Sequence, residues 1–318
     1  MLRTVLLLAL GAVLAPSAWA FDAGWRGGYY ATVVASDPAS LRATLHAVID
    51  DHQRFPYTSA ATDTWDILKL AEQDPADSAR IVDVYRNASY AKQAGGNSFY
   101  DREHTWPKSY GFPDEGDSSA HTDTHMLMLS HIAYNGARGN KRFGQCATGC
   151  SEYPTLATNG SGGGTGSYPG NSNWSDATVF QVWVGKRGDV ARAIFYMDIR
   201  YEGGVHGGTG AAEPDLRVTD DPGQIQPAGN GAAVAYMGLT SVLLAWHEAD
   251  PPDDFERRRN DVVASFQGNR NPFIDHPEWI ACLHLGECSG AGDALFADGF
   301  DPGALKPDLT FFATPSSH

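Results

Sequence analysis

Cationic residues and cysteines are scarce in this sequence of 318 residues. Lysine and arginine together number 23 against 38 aspartate and glutamate residues, which gives a formal net charge of −15. Such a chain is repelled at long range by a polyanion, so it can bind nucleic acid only through local cationic side chains or a bound cation. Three cationic runs could serve, although such runs are more often solvated faces: 138–142, 186–192 and 257–259.

Several signatures of common hydrolases and nucleotide-binding proteins are absent. The glycine-rich stretch at 162–166 lacks the Lys-Ser/Thr that completes a phosphate-binding loop. No Gly-x-Ser-x-Gly elbow is present, and His121 is not followed by the glutamate of an H-E-x-x-H zinc site. The sequence therefore predicts neither a P-loop protein, nor an α/β-hydrolase, nor a zinc metalloprotease.

Long apolar runs are confined to the N-terminus. Residues 1–20 combine Arg3, an apolar run over 5–14 and the ending Ala18-Trp19-Ala20, the pattern of a secretory signal peptide. A membrane anchor is the alternative, but the run has only about half of the roughly 20 residues that span a bilayer. We expect a secreted or periplasmic monomer that leaves the membrane after cleavage. Its domain would cover 21–288, followed by a Gly/Asp/Pro-rich tail at 289–318.

The four cysteines form two close pairs in sequence, Cys146 with Cys150 and Cys282 with Cys288. An even number of cysteines in an exported chain predicts disulfides, and proximity favours pairing within each pair, although three connectivities are possible. A four-thiolate zinc site is the alternative. It usually has tighter C-x2-C spacing and belongs to a reducing compartment.

Hydrophobic periodicity predicts an α+β domain of helices and short strands. A hydrophobic content of 42% with eight tryptophans is enough for a packed core. The glycine-rich segment 159–174 is expected to be a surface excursion. The pattern predicts a strand at 81–85 and helices at 41–51 (capped by Ser40), 63–73, 124–134, from 188 onward, 232–247 and 253–266.

Glu103, His104 and Asn135 are the candidate chemical centre. Phosphodiester hydrolysis needs a base for the attacking water, a cation to balance the developing charge, and a proton for the leaving oxygen. A neutral histidine suits the first task, and the oxygens of Glu103 and Asn135 suit Mg²⁺, Mn²⁺ or Ca²⁺ better than zinc. Neighbouring residues of a strand face opposite sides, so Glu103 and His104 converge only if the chain bends there.

Ordered blocks of the sequence resemble the bacterial endonuclease I family of secreted and periplasmic nucleases. The blocks stand in the family's order and span roughly residues 40–279. They are Phe99-Tyr100-Asp101-Arg102-Glu103-His104-Thr105-Trp106-Pro107, Thr122-Asp123-Thr124-His125, Asn135-Gly136-Ala137-Arg138-Gly139-Asn140, Lys186-Arg187-Gly188-Asp189 with Arg192, and Asn269-Arg270-Asn271-Pro272-Phe273.

The resemblance implies a ββα-metal (His-Me finger) core that cleaves DNA, and often RNA, to 5′-phosphate oligonucleotides with little sequence preference. By match to the family, His104 would be the general base and Arg192 would lie near the scissile phosphate. Glu103 and Asn135 would bind one divalent cation, Mg²⁺ first among the candidates.

Other residues of the matched blocks have less specific assignments. Asn135 by itself could also be a helix cap. Asn140 could replace Asn135 as the metal ligand, or it could bind substrate together with Arg138. Asp123 and His125 are either supports for the site or a core pair. The chain lacks the proline that the family often has after its Asp-x-His, since Met126 to Leu129 follow here.

Two competing functions remain at this point. One is a secreted nucleic-acid-binding protein of the same fold without catalysis, against which the intact Glu103, His104 and Asn135 argue. The other is a zinc-dependent hydrolase that uses His121, His125 and His131 on one helix.

Overall fold

The computed structural model describes residues 28–116, 118–230 and 234–288. The expected signal peptide at 1–20 and the tail at 289–318 lie outside the described residues. Among the helices that are described, none is long and apolar enough to cross a membrane.

Two capped helices open the fold, α1 (Pro38–Ile49) and α2 (Thr64–Ala71). Helix α1 buries Leu41 and Ile49 as its periodicity predicts, but the prediction of Ser40 as the cap was wrong. The cap is Asp37, whose carboxylate accepts a hydrogen bond from the Ser40 backbone N–H, because the helix begins one turn earlier at a proline.

A hairpin and a strand–strand–helix unit follow. Strands β1 (Arg80–Val82) and β2 (Ser89–Ala91) are antiparallel, and so are β3 (Tyr100–His104) and β4 (Leu127–His131), with Tyr100 opposite His131. The short helix α3 (Ser119–Thr122) lies in the long connection between β3 and β4, and α4 (Ile132–Arg138) begins directly where β4 ends.

The predicted helix at 124–134 was wrong over residues 127–131, which form strand β4, and is confirmed only at its end, where α4 begins at Ile132. Leu127, Met128 and Leu129 are all buried and paired with β3. A strand covered on both faces is apolar at every position, so its sequence cannot be distinguished from a buried helix by periodicity. The predicted strand at 81–85 is shorter than expected and ends at Val82.

The middle of the chain forms a four-stranded sheet in the order β5–β8–β7–β6. Its strands are β5 (Arg142–Phe143), β6 (Ser151–Pro154), β7 (Ser172–Ser175) and β8 (Val179–Gln181). Residues 159–171 are turns in which several glycines adopt positive φ, as expected of a surface excursion. The predicted C-terminal end of this excursion at residue 174 was wrong, since Ser172 to Trp174 are buried in β7.

The core surrounds helix α5 (Arg187–Arg200), which follows a 3-10 turn at Val184–Lys186 and is buried from Gly188 to Arg200. Strands β9 (Leu216–Thr219) and β10 (Ala235–Gly238) pair in parallel beside it. Helices α6 (Thr240–Ala249), α7 (Asp254–Gln267), α8 (Pro272–Asp275) and α9 (Trp279–Leu285) complete the domain.

The predicted helix at 232–247 was wrong in its first part, which contains β10. The pattern missed this boundary because the strand and α6 both contain apolar residues. The predicted helix at 253–266 is confirmed as α7, capped by Asp253 and ended by Gly268 in the left-handed conformation. The mixture of helices and small sheets agrees with the α+β prediction.

Both predicted local disulfides are present, Cys146–Cys150 and Cys282–Cys288. These bonds use all four cysteines, so the alternative of a four-thiolate zinc site was wrong. Cys282 is buried in the main core, where its disulfide links α9 to the end of the domain.

Candidate active site

Helix α4 brings the predicted site residues together by running back along strand β3. The Asn135 side-chain amide donates to the carbonyl of Arg102 at 3.4 Å. Three residues later, Arg138 donates to the carbonyl of His104 at 2.7 Å and to that of Thr105. The order strand β3, strand β4, helix α4 therefore places Asn135 and Arg138 beside Glu103 and His104.

Glu103 is a buried carboxylate of which one oxygen is occupied. Its Oε1 accepts from the Tyr85 hydroxyl at 2.8 Å and from the Arg138 guanidinium at 2.9 Å. Burial raises the pKa of Glu103 to about 7, while the charge of Arg138 and the bond from Tyr85 act in the opposite direction. Within the described residues, Oε2 of Glu103 has no hydrogen-bond partner.

The surroundings of His104 determine which ring nitrogen carries the proton. Its Nε2 lies 3.0 Å from the backbone carbonyl of His121, and a carbonyl oxygen can only accept. In the neutral ring Nε2 is therefore the protonated nitrogen and Nδ1 has the free lone pair. Burial, followed by the neighbouring His121, lowers the pKa of His104 well below its ordinary value. His104 as a whole residue is 9% exposed.

Three supporting residues were not identified from the sequence. Tyr85 orients Glu103 from the segment after β1, and the carbonyl of His121 orients His104 from helix α3, which Ser118 caps. These contacts cross long sequence separations, and no local pattern marks a tyrosine or a backbone carbonyl for such a task.

Arg102 packs between two aromatic rings on the other side of β3. Its guanidinium carbon lies 3.4 Å from the ring centre of Tyr57 and 4.3 Å from that of Trp65. The charge of Arg102 is thereby directed away from Glu103 and toward the N-terminal helices. The cation–π contacts stabilise this end of β3.

Arg138 and Asn140 have different surroundings although they are two residues apart. Arg138 is 1% exposed and is directed inward, so it supports the site and is not part of a surface patch. Asn140 is exposed and, with Lys141 and Arg142, lines a cleft of about 340 Å³ just beyond the end of α4. Neither Lys141 nor Arg142 pairs with a carboxylate of the described residues.

Asp123 and His125 form a separate buried network. Asp123 accepts from the hydroxyls of Tyr196 and Tyr201 at 2.7 and 2.9 Å, and His125 Nε2 lies 3.0 Å from the carbonyl of Asn269. In the part of the chain that the structure describes, neither residue contacts Glu103 or His104. The arrangement is that of a core pair that joins α5 to the C-terminal helices.

The three histidines of the zinc alternative lie in different surroundings. His121 is in α3 against His104, His125 packs on Tyr196, and His131 ends strand β4. Over the described ranges, no group of three His, Cys, Asp or Glu side chains could hold a metal. The zinc alternative therefore loses the single helix on which it depended.

Arg192 is not brought to this site. It is 0% exposed, and its guanidinium forms a bidentate ion pair with Glu256, with Nε to Oε1 at 2.8 Å. The same guanidinium donates to the carbonyl of Asp250 at 2.7 Å. Because no part of Arg192 is exposed, a direct contact with a substrate phosphate would require this ion pair to open.

Replacing Arg192 with methionine should lower the free energy of unfolding by about 3–5 kcal/mol, since Glu256 would be left as an unpaired buried charge. Urea unfolding followed by tryptophan fluorescence measures the change. The double variant Arg192→Met/Glu256→Leu should recover most of the loss, because neither buried charge remains. An Arg192→Met protein of unchanged stability would show that the ion pair is not what fixes this residue.

Comparison with known proteins matches the segment of the chain that contains these residues. The family model described as Endonuclease I matches residues 38–278. An extracellular ribonuclease of Bacillus amyloliquefaciens is 38% identical over 255 residues, which cover 79% of this chain and 76% of that protein. An extracellular ribonuclease of Bacillus subtilis (strain 168) is 36% identical over 255 residues, with the same shares covered. This chain therefore belongs to the endonuclease I family.

Proposed function

We propose that the protein is a secreted or periplasmic metal-dependent endonuclease that hydrolyses DNA and RNA to 5′-phosphate oligonucleotides. The observation that carries the proposal is the bond from His104 Nε2 to the carbonyl of His121, which leaves Nδ1 as a proton acceptor beside Glu103 and Asn135. The relatives named as extracellular ribonucleases and the two disulfides support export and a nucleic-acid substrate.

Strands β3 and β4 with helix α4 are the proposed ββα-metal core. Their order, and the return of α4 along β3, support this assignment. The long connection between the strands supplies the carbonyl that orients His104. We assign no step to Arg192, whose guanidinium is held by Glu256.

Two oxygens of the site fit a divalent cation. Glu103 Oε2 and Asn135 Oδ1 have no hydrogen-bond partner among the described residues, and both are hard donors that suit Mg²⁺ or Mn²⁺. When bound there, such a cation would supply positive charge to balance the charge that develops on the phosphate. Tyr85 and Arg138 hold the carboxylate so that its free oxygen keeps one orientation.

His104 performs the proton transfer in this proposal. Its Nδ1 accepts a proton from the attacking water, and the charge of the resulting imidazolium is stabilised by the hydrogen bond from Nε2 to the His121 carbonyl. That bond also prevents the ring from rotating, so Nδ1 keeps its direction during turnover. The backbone bonds from Arg138 to His104 and Thr105 hold the end of β3 in place.

Substrate phosphates next to the site are proposed to bind in the cleft of Asn140, Lys141 and Arg142. In this cationic run Lys141 and Arg142 form no ion pair with a described carboxylate, whereas most cationic side chains of the other two runs already bind protein groups. Lys186 pairs with Asp189 at 2.6 Å, and Arg259 is buried against Glu72. A small number of phosphate contacts is then expected despite the net charge of −15.

The substitution His104→Ala should lower kcat by about 10²–10⁴-fold, since the general base is lost. Plasmid DNA and a fluorescent RNA, each digested with Mg²⁺ and with EDTA, measure the loss, and EDTA should abolish the wild-type activity. His276→Ala is the matched control, because that histidine is partly exposed and pairs only with Glu278 and nearby rings. Full activity of the His104→Ala protein, or activity that needs zinc alone, would overturn the proposal.

The substitution Tyr85→Phe should raise the Mg²⁺ concentration that gives half-maximal activity by about tenfold, because Glu103 loses one of the two bonds that orient it. The measurement is a Mg²⁺ titration of the initial rate on one DNA substrate. At saturating Mg²⁺ the rate should return close to wild type. An unchanged half-maximal concentration would mean that Tyr85 does not orient a metal ligand.

Activity should depend on salt less steeply than in a strongly basic nuclease. The slope of log kcat/KM against log salt should correspond to fewer than about six neutralised phosphates. Lys141→Ala should reduce that slope by about one phosphate. Arg257→Ala, on the exposed end of another cationic run, should leave it unchanged. The cleft assignment is wrong if the two variants behave in the same way.

A further inference from the structure

A row of aromatic rings lies beside strands β3 and β4 and helix α4, which carry the candidate active site. Phe99 stacks near Tyr90 and Tyr90 near His131, each pair with ring centres 6.1 Å apart and planes 28° apart. His131 meets Tyr134 edge to face at 5.3 Å, and Tyr134 meets Tyr153 at 5.6 Å. We call Tyr90, Phe99, His131, Tyr134 and Tyr153 the stacking platform.

The stacking platform is accessible to solvent to an unusual degree. Phe99 is 51% exposed, and its neighbour Ile132 is 41% exposed. The other four rings are half-buried. Tyr90 also contacts the buried ring of Tyr100 at 5.8 Å, so the platform rests on the core. An exposed aromatic ring beside several partly exposed rings is typical of a binding surface.

Three of the five platform residues lie on or next to the elements that carry the candidate active site. Phe99 directly precedes β3, and Glu103 lies four residues further along that strand, at a distance of about 13 Å. Tyr134 directly precedes Asn135 on α4. A strand of roughly two to four nucleotides would reach from the scissile phosphate to the platform.

Arg86 supplies a positive charge next to Tyr90 of the stacking platform. Arg86 donates from its guanidinium to the Tyr90 hydroxyl at 3.1 Å and is half-buried. Asp83, whose charge acts on Tyr90 and Tyr134, is 1% exposed and accepts from the backbone N–H groups of Arg86, Ala88 and His131. Its charge is therefore directed into the protein, while Arg86 can face a phosphate.

We propose that the stacking platform binds unpaired bases of the substrate and directs this nuclease to single-stranded nucleic acid. This inference rests on the proposed function. Bases of a single strand have free faces that can stack on aromatic side chains, whereas in a duplex those faces are covered by neighbouring base pairs. Stacking of this kind needs little net positive charge, which suits a chain with a net charge of −15.

The first experiment compares kcat/KM on an unpaired oligonucleotide and on a duplex of the same sequence. Phe99→Ala should lower the value on the unpaired strand by about fivefold or more and leave the duplex value unchanged. Phe99→Trp should retain wild-type discrimination, because a ring is still present. Val205→Ala, at an apolar position that is 63% exposed and outside the platform, is the control and should change neither value.

The second experiment measures binding without cleavage. In EDTA, a single-stranded oligonucleotide that contains 2-aminopurine should lose fluorescence when its base stacks on wild-type protein or on Phe99→Trp, but not on Phe99→Ala. Equal quenching by wild type and Phe99→Ala, or equal loss of activity on both substrates, would overturn the inference. A wild-type protein that cleaves neither substrate would instead refute the proposed function, and the quenching assay would still test the platform.

Discussion

The buried guanidinium of Arg138 is the interaction on which the candidate site depends. It joins α4 to β3 through the Glu103 carboxylate and the carbonyls of His104 and Thr105, and its face lies 4.5 Å from the ring centre of Phe143. A charge at 1% exposure is tolerated only when it is paired in this way. The same bonds determine where Asn135, one turn earlier on α4, meets the strand.

Acidity is the constraint that shapes the rest of the surface. A chain with 38 carboxylates and 23 lysines and arginines cannot attract a polyanion as a whole. Much of its cationic charge is also used internally, since Arg192, Arg259 and Arg270 each pair with buried carboxylates. In the proposed function, attraction for substrate is left to a cation at Glu103 and Asn135, the cleft beyond α4 and the aromatic faces of the stacking platform.

A large buried network packs around α5. Asp123 gathers hydroxyls from two tyrosines of this region, and Gln267 of α7 donates to the same carboxylate. From the sequence, Asp123 and His125 were predicted to be either supports for the site or a core pair, and the resemblance placed Arg192 near the scissile phosphate. All three side chains are buried. Their hydrogen bonds and ion pairs connect α5, α7 and the segment before β4, which is a structural reason for these residues at these positions.

The sequence by itself determined the signals that act locally. Periodicity predicted α1, α2 and α7, the cysteine spacing predicted the two disulfides, and the motif around Glu103 and His104 indicated the candidate site. Only the tertiary structure decided that residues 127–131 form a strand, that Arg192 is held by Glu256, and that His104 is oriented by the His121 carbonyl. Those outcomes depend on partners distant in sequence, and burial on both faces removes the periodicity by which a pattern distinguishes strand from helix.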